Sequence, residues 1–332
     1  VKGKIFVTHK LPGIFLDNLS RDYQVRVWGE RDIGRDDLLK EVRGCEGIIS
    51  LLTEKIDSGV IDAAGDGLKV IGNYAVGFDN IDVSEATKRG VVVVNTPGVL
   101  TEAVAEQVIA LALSISRRIV EGDRFVREGK YKGWEPDLLI GSGLRGKTMG
   151  IIGLGRIGRW VGRLARGIGM QVIYYSRSRD EEYELECEVE YKALDQLLRL
   201  ADVVSLNVPL AKETEQLIGA KQLKLMKKTG ILINTARGRV VDQEVLIKVL
   251  SERKIAGAGL DVYENETRVD PRLRKLDNVV LTPHTASATI EARLLMSKVV
   301  VDGVKNVLTG KCPDNIVNKE VWEKRRMKKV NN

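Results

Sequence analysis

The run Thr148-Met-Gly-Ile-Ile-Gly153-Leu-Gly155-Arg156-Ile157-Gly158 joins an apolar strand to a helix through three glycines. Their spacing answers the needs of a dinucleotide pyrophosphate. Gly153 permits the tight turn, Gly155 lets the backbone approach phosphate with no Cβ in the way, and Gly158 lets the helix pack closely on the strand. The unpaired amides at the helix start, around Arg156 and Ile157, then face the anion. About 20 residues further on, NAD-specific domains place an acid that binds the ribose 2′-hydroxyl; this chain has Tyr175-Ser176-Arg177-Ser178-Arg179. Two hydroxyls and two guanidinium groups can bind a 2′-phosphate by charge-assisted hydrogen bonds. NADP(H) is therefore the expected cofactor, with NAD(H) also accepted. The plainer reading is a solvated basic loop, since Asp180, Glu181 and Glu182 follow.

The chain has two histidines. His9 falls just after the first expected strand, where a surface or packing role is the natural reading. His284 follows a strand and a proline, at the carboxyl edge where open α/β sheets bind ligands. Arg237 lies just past another apolar run, where a planar guanidinium could grip a carboxylate. Cys45, Cys187 and Cys312 are odd in number and widely spaced, so buried free thiols are expected rather than a disulfide framework, and no metal site is expected.

Strands and helices must position these groups. Short β-rich runs at residues 4–8, 23–28, 47–51, 69–73 and 91–95 alternate with helix-compatible segments, the pattern of parallel strands with crossover helices. Thr101 is a plausible N-cap for an apolar helix running to about Val120. Pro136 and the glycines at 141, 143 and 146 mark a loop leading into the glycine turn. Beyond the turn, runs at 171–175, 202–207, 230–234, 256–260 and 278–281 repeat the pattern, and a last helix is expected from about Ser287 to Leu308. The fold class is α/β, with two doubly wound parallel sheets.

A chain of 332 residues with 43% hydrophobic content can fill two cores. It contains no apolar stretch near the roughly 20 residues of a membrane span, and its start lacks the layout of a signal peptide, so a cytoplasmic location is the default expectation. The net charge of +7 is spread among many acids, which suits anionic small molecules as well as nucleic acid. The densest basic cluster, Lys324, Arg325, Arg326, Lys328 and Lys329, reads as a solvated tail; no nucleic-acid or membrane partner is expected.

The segments Asn73-Tyr-Ala-Val-Gly-Phe-Asp-Asn-Ile-Asp82, Asn95-Thr-Pro97, the glycine turn, Asn234-Thr-Ala-Arg237-Gly, Gly259-Leu-Asp261-Val-Tyr-Glu-Asn-Glu266 and Thr282-Pro-His284 appear in order along the chain. With them the chain resembles the D-isomer-specific 2-hydroxyacid dehydrogenases, most closely the glyoxylate and hydroxypyruvate reductases. The resemblance implies a discontinuous flavodoxin-like substrate domain (residues 1–99 and 288–332) and a Rossmann dinucleotide-binding domain (residues 100–287). It also implies reduction of a small 2-keto acid to the D-2-hydroxy acid.

Hydride transfer leaves negative charge on the C2 oxygen, so the site needs a proton donor, a cation for the carboxylate and a positioned nicotinamide. The resemblance assigns His284 as acid/base and Glu266 as its carboxylate partner, expected to be buried so as to favour the protonated ring. It assigns Arg237 to the substrate carboxylate and keto oxygen, and the backbone amides of Val76 and Gly77 to the carboxylate. Asp261 would orient the nicotinamide carboxamide, and Thr101, Pro209, Thr235 and Ala236 would line the cofactor cleft. A homodimer is implied, built on the helix after Thr101 and the loop from Trp134 to Gly143, with domain closure excluding water.

Three positions depart from the family pattern. Thr267 stands where many relatives have Pro, Ala286 where Gly is common after the histidine, and Leu138 where glyoxylate reductases often carry a Trp, the nearest here being Trp134. Phosphite dehydrogenases have a Lys at the position of Val76, which argues against an inorganic substrate. Related readings are a D-lactate, phosphoglycerate or 2-ketogluconate type dehydrogenase and, from another class, a nucleotide-sensing corepressor-like scaffold.

Overall fold

The computed structural model describes residues 3–29 and 33–325. Arg326, Lys328 and Lys329 of the basic cluster lie outside them. The chain divides into two compact units, one holding the chain up to Leu100 and from Thr289 onward, the other spanning Thr101–Ala288.

The first unit is built on β1 (Lys4–Val7), β2 (Gln24–Val27), β3 (Gly47–Ser50), β4 (Val70–Asn73) and β5 (Val92–Val94). They form one parallel sheet in the order β2-β1-β3-β4-β5, the flavodoxin-like winding. Strands β3 and β4 and the edge strand β5 are buried along their whole length. Continuous Val/Ile runs suit a sheet with both faces covered, because crossover helices shield each side. One cover is the helix Ile290–Leu308, with Val300 and Val304 so close to Gly72 that a Cβ there would lie 2.7 Å from Val304. That helix begins at Ile290, later than the expected Ser287, because the Thr289 side chain caps it by accepting from the Ala292 amide. The segment after it returns to β5, where Asn318 accepts from the Val93 amide and donates to the Val91 carbonyl.

The second unit holds β6 (Thr148–Ile152), β7 (Gln171–Tyr175), β8 (Glu190–Tyr191), β9 (Val203–Leu206), β10 (Ile231–Asn234), β11 (Gly257–Leu260) and β12 (Val279–Leu281). Their order, β12-β11-β10-β9-β6-β7-β8, is the Rossmann winding with one further strand at the β12 edge. Two-residue β8 had no readable signal in the sequence. The sheet is parallel throughout, with one apolar cluster around Leu197, Leu232, Leu246 and Leu260 and another around Val108, Ile151, Val161 and Ile233.

Two expectations are corrected. The helix that starts at Thr101 ends at Ser116 rather than near Val120, and a second one runs Ile119–Arg127. Between them Arg118 adopts φ 53°, and the Ser116 carbonyl accepts from the Ser142 amide instead of a residue one turn on. The cysteines are free, but Cys45 alone is buried; Cys187 is half-buried and Cys312 exposed in the turn after the last long helix. His9 is half-buried, with Nδ1 against the Lys10 carbonyl.

Candidate active site

The glycine turn leaves β6 and enters the helix Arg156–Gly167. Gly153 sits at φ 98°, and a Cβ there would lie 2.8 Å from the Asn207 carbonyl oxygen. At Gly158 a Cβ would lie 2.2 Å from the Gly153 carbonyl oxygen, so the helix seats against the strand only with glycine. Around Gly155 the corresponding space is open, which is where a pyrophosphate needs room beside the helix start. No acidic residue occupies the helix's first turn to repel it.

β7 leads into the loop expected to meet the cofactor ribose. Ser176 is half-buried, and Arg177 and Ser178 are exposed. Arg179 is not available as the sequence suggested: its guanidinium grips the Glu184 carboxylate at 2.7–3.1 Å. That bidentate pair holds Glu184 below the usual carboxylate range. Glu184 also accepts from the buried Tyr174 hydroxyl at 2.6 Å, and the same hydroxyl accepts from the Asp180 amide at 2.8 Å. Burial, then Glu184, pushes the Tyr174 phenol up to about 12, keeping it a donor at neutral pH. Asp180 caps the next helix and pairs with Arg159. The loop is thus pinned at 179–180, and the cation it presents is Arg177, which has no side-chain partner among the described residues.

The residues expected to do the chemistry lie at the carboxyl ends of β10, β11 and β12. After β10, Asn234 is 1% exposed and shapes the turn, accepting from the Ala236 amide and donating to the Arg237 carbonyl. Thr235, Ala236 and Arg237 are half-buried, and Arg237 Nη1 donates to the Ala236 carbonyl. The next residue explains how two loops come together: a Cβ on Gly238 would lie 1.9 Å from the Tyr263 carbonyl. Glycine therefore brings the Arg237 turn against the loop that carries Glu266. Pro209, after β9, is exposed, and Thr101 is buried at the start of its helix.

After β11, Asp261 is fully buried and its carboxylate is an acceptor hub. Oδ1 takes the Thr282 hydroxyl and the Thr285 amide, and Oδ2 takes the Ala286 amide at 2.8 Å. The Asp261 carbonyl also accepts from the His284 amide. Asp261 thereby clamps residues 282–286, a role the sequence reading missed; hydrogen bonding within the turn leaves no periodic signal. Held in this clamp, His284 takes φ 53°, a left-handed conformation uncommon outside glycine that recurs at functional sites. Ala286 is accommodated, buried with its amide on Asp261.

His284 Nδ1 lies 3.3 Å from Glu266 Oε2. Nε2 has no hydrogen-bond partner among the described residues, so it is the nitrogen open to a ligand. Glu266 is not buried as expected: its side chain is 32% exposed, because the loop it rides on, residues 264–267, stands at the surface. Its Oε1 is steadied by the Tyr263 amide at 3.3 Å. At Thr267 the amide and hydroxyl both donate to Asn265 Oδ1, a closure that supplies the turn without proline. Among the described residues no cluster of His, Cys, Asp or Glu could hold a metal ion.

In the first unit, Val76 and Gly77 lie in the turn after β4, half-buried, with amides that donate to nothing among the described residues.

The profile of the D-isomer specific 2-hydroxyacid dehydrogenase NAD binding domain matches residues 109–286. The chain is 48% identical to the glyoxylate reductase of Pyrococcus horikoshii over 98% of its own length and 99% of that protein's. The chain belongs to the D-isomer specific 2-hydroxyacid dehydrogenases. Among solved structures, a protein of Thermus thermophilus superposes with a TM-score of 0.90 at 42% identity, covering 95% of this chain and 99% of that one. An NADPH-dependent glyoxylate/hydroxypyruvate reductase of Sinorhizobium meliloti, solved with NADP and malonate, gives 0.86 at 33%, covering 98% and 99%. As a member of this family the protein is an NAD(P)-binding oxidoreductase that reduces 2-keto acids, and the scaffold-only reading falls away. No described helix is long and apolar enough to cross a membrane.

Proposed function

We propose that this dehydrogenase reduces glyoxylate and hydroxypyruvate to the corresponding 2-hydroxy acids with NADPH as its preferred coenzyme. The observation that carries this is the His284–Glu266 pair at the carboxyl edge of the Rossmann sheet, with His284 Nε2 open; near-full-length identity to glyoxylate reductases supports the substrate. The glycine turn and the Ser176–Ser178 loop hold the coenzyme, with Pro209, Thr235 and Ala236 beside them, and the bound coenzyme supplies the hydride. His284 gives the Nε2 proton to the C2 oxygen during reduction and takes it back during oxidation. Glu266, at 3.3 Å from Nδ1, orients the ring. Arg237 binds the substrate carboxylate and polarises the keto oxygen, and the amides of Val76 and Gly77 hold the carboxylate.

Initial rates with NADPH and with NADH, against glyoxylate, hydroxypyruvate, pyruvate and larger 2-keto acids, test this reading. NADPH with the first two acids is expected to be fastest; equal kcat/KM for both coenzymes would refute the NADPH preference. Arg177→Ala is expected to reduce the NADPH-over-NADH preference about 10- to 100-fold, the value of one charge-assisted hydrogen bond. Arg179→Ala should shift it far less, since that guanidinium belongs to Glu184.

A homodimer is part of the same proposal. The helix Ile119–Arg127 buries none of its residues, although it carries Ile119, Val120, Phe125 and Val126. Ile119, Val126, Tyr131, Trp134 and Ile140 are all more than half exposed. Ile140 and Val120 also line a cavity of about 730 Å³ at the amino-terminal edge of the sheet, together with Ile115, Leu144 and Val279 among others. A second copy would cover this apolar surface. Light scattering is expected to give twice the chain mass, and Ile140→Glu to shift it toward a single chain.

A further inference from the structure

The turn after β4 shows how its amides come to be free. The Ala75 carbonyl accepts from the Thr96 amide at 2.9 Å. The Val76 carbonyl accepts from Asn95 Nδ2 at 2.8 Å, and the Gly77 carbonyl from Asn73 Nδ2 at 2.7 Å. In a trans peptide the carbonyl and the following N–H point in opposite directions. Pinning each carbonyl therefore aims the N–H of the same peptide, that of Val76, Gly77 or Phe78, away from its tether, and none of the three donates to any described residue. Successive free amides in one turn are the material of an anion cradle.

The two asparagines are themselves fixed. Asn73, the last residue of β4, is wholly buried; it exchanges hydrogen bonds with Asn80, which in turn donates to the Leu51 and Glu54 carbonyls. Asn95, 8% exposed, is held through its own backbone, its amide donating to the Asn315 carbonyl and its carbonyl accepting from Asn315 Nδ2. Burying a side-chain amide is costly unless its donors are used. Here both spend a donor on the same turn.

We propose that Asn73 and Asn95 are positioning residues for the substrate carboxylate: they hold the 76–77 and 77–78 peptide planes so that three amides, Phe78 included, face the anion. This rests on the reading that the turn binds the carboxylate. Without either tether the corresponding plane can rotate and offer a carbonyl oxygen to the anion instead, which repels it.

The test is steady-state kinetics of the full chain with glyoxylate, and inhibition by oxalate, for Asn73→Ala, Asn95→Ala and Asn95→Asp. Each alanine variant is expected to raise the glyoxylate KM and the oxalate Ki together by about 10-fold or more, with the coenzyme KM within twofold of the parent. Asn95→Asp keeps the shape but loses the donor, and is expected to be at least as impaired as Asn95→Ala; near-parent behaviour would mean that Asn95 acts by packing and would overturn its part in the proposal. The proposal is also overturned if the alanine variants leave the glyoxylate KM unchanged, or raise both KM values equally. Gly77→Pro, which deletes one amide, separates the two levels. An unchanged glyoxylate KM there removes the carboxylate reading and the proposal with it, whereas a raised KM beside unaffected asparagine variants removes the proposal alone.

Discussion

His284→Asn is expected to lower kcat by about 10²- to 10⁴-fold, the usual contribution of a positioned acid/base, while coenzyme affinity stays within twofold. The choice of asparagine matters. His284 sits at φ 53°, and asparagine is among the few residues that adopt this region readily, so the variant loses the titratable ring without disturbing the turn. Alanine would confound the two effects. Stopped-flow turnover and coenzyme titration by fluorescence provide the two readouts. Retention of kcat within tenfold would remove His284 as the proton donor.

Asp261→Ala is the second large effect, and it separates two roles for one carboxylate. The substitution leaves the buried amide of Ala286, the amide of Thr285 and the Thr282 hydroxyl without their acceptor. Each buried donor so stranded costs about 1–3 kcal/mol, so denaturant unfolding should show a loss of several kcal/mol. The turn that holds His284 also relaxes, and a displacement near 1 Å at a reacting group can cost about 10²-fold in rate. The expected outcome is therefore a kcat reduced by about two orders of magnitude with a modest change in coenzyme affinity. If Asp261 acts chiefly on the nicotinamide carboxamide, coenzyme affinity will fall while kcat at saturation holds. Asp261→Asn, which keeps one acceptor and the shape, should lie between the parent and alanine in both stability and rate.

The loop after β7 shows how charge in a sequence differs from charge at a site. Arg177 and Arg179 are equivalent in the string Ser-Arg-Ser-Arg. Folding places the Glu184 carboxylate and the Tyr174 hydroxyl beside the second alone, so one guanidinium braces the loop and the other is left for a ligand. Helix boundaries follow the same logic: the break after Ser116 depends on the Ser142 amide, 26 positions away in the chain, and nothing local announces it.

The α/β class, the parallel strands and the dinucleotide turn were legible because each rests on short-range chemistry. Buried parallel strands need continuous Val/Ile runs, and the turn needs glycine at positions 153 and 158, where a Cβ would strike backbone. Family membership was legible for the same reason, since Arg237, Glu266 and His284 each sit in a local motif. Contacts that bring distant motifs together belong to the folded chain. Gly238 against Tyr263, Asp261 beneath the His284 turn, the surface exposure of Glu266, and the tethers from Asn73 and Asn95 all depend on which strand ends become neighbours. Hydrogen bonding between such ends is directional and long-range in sequence, so the residue types are written in the chain while their pairing arises when the sheets close.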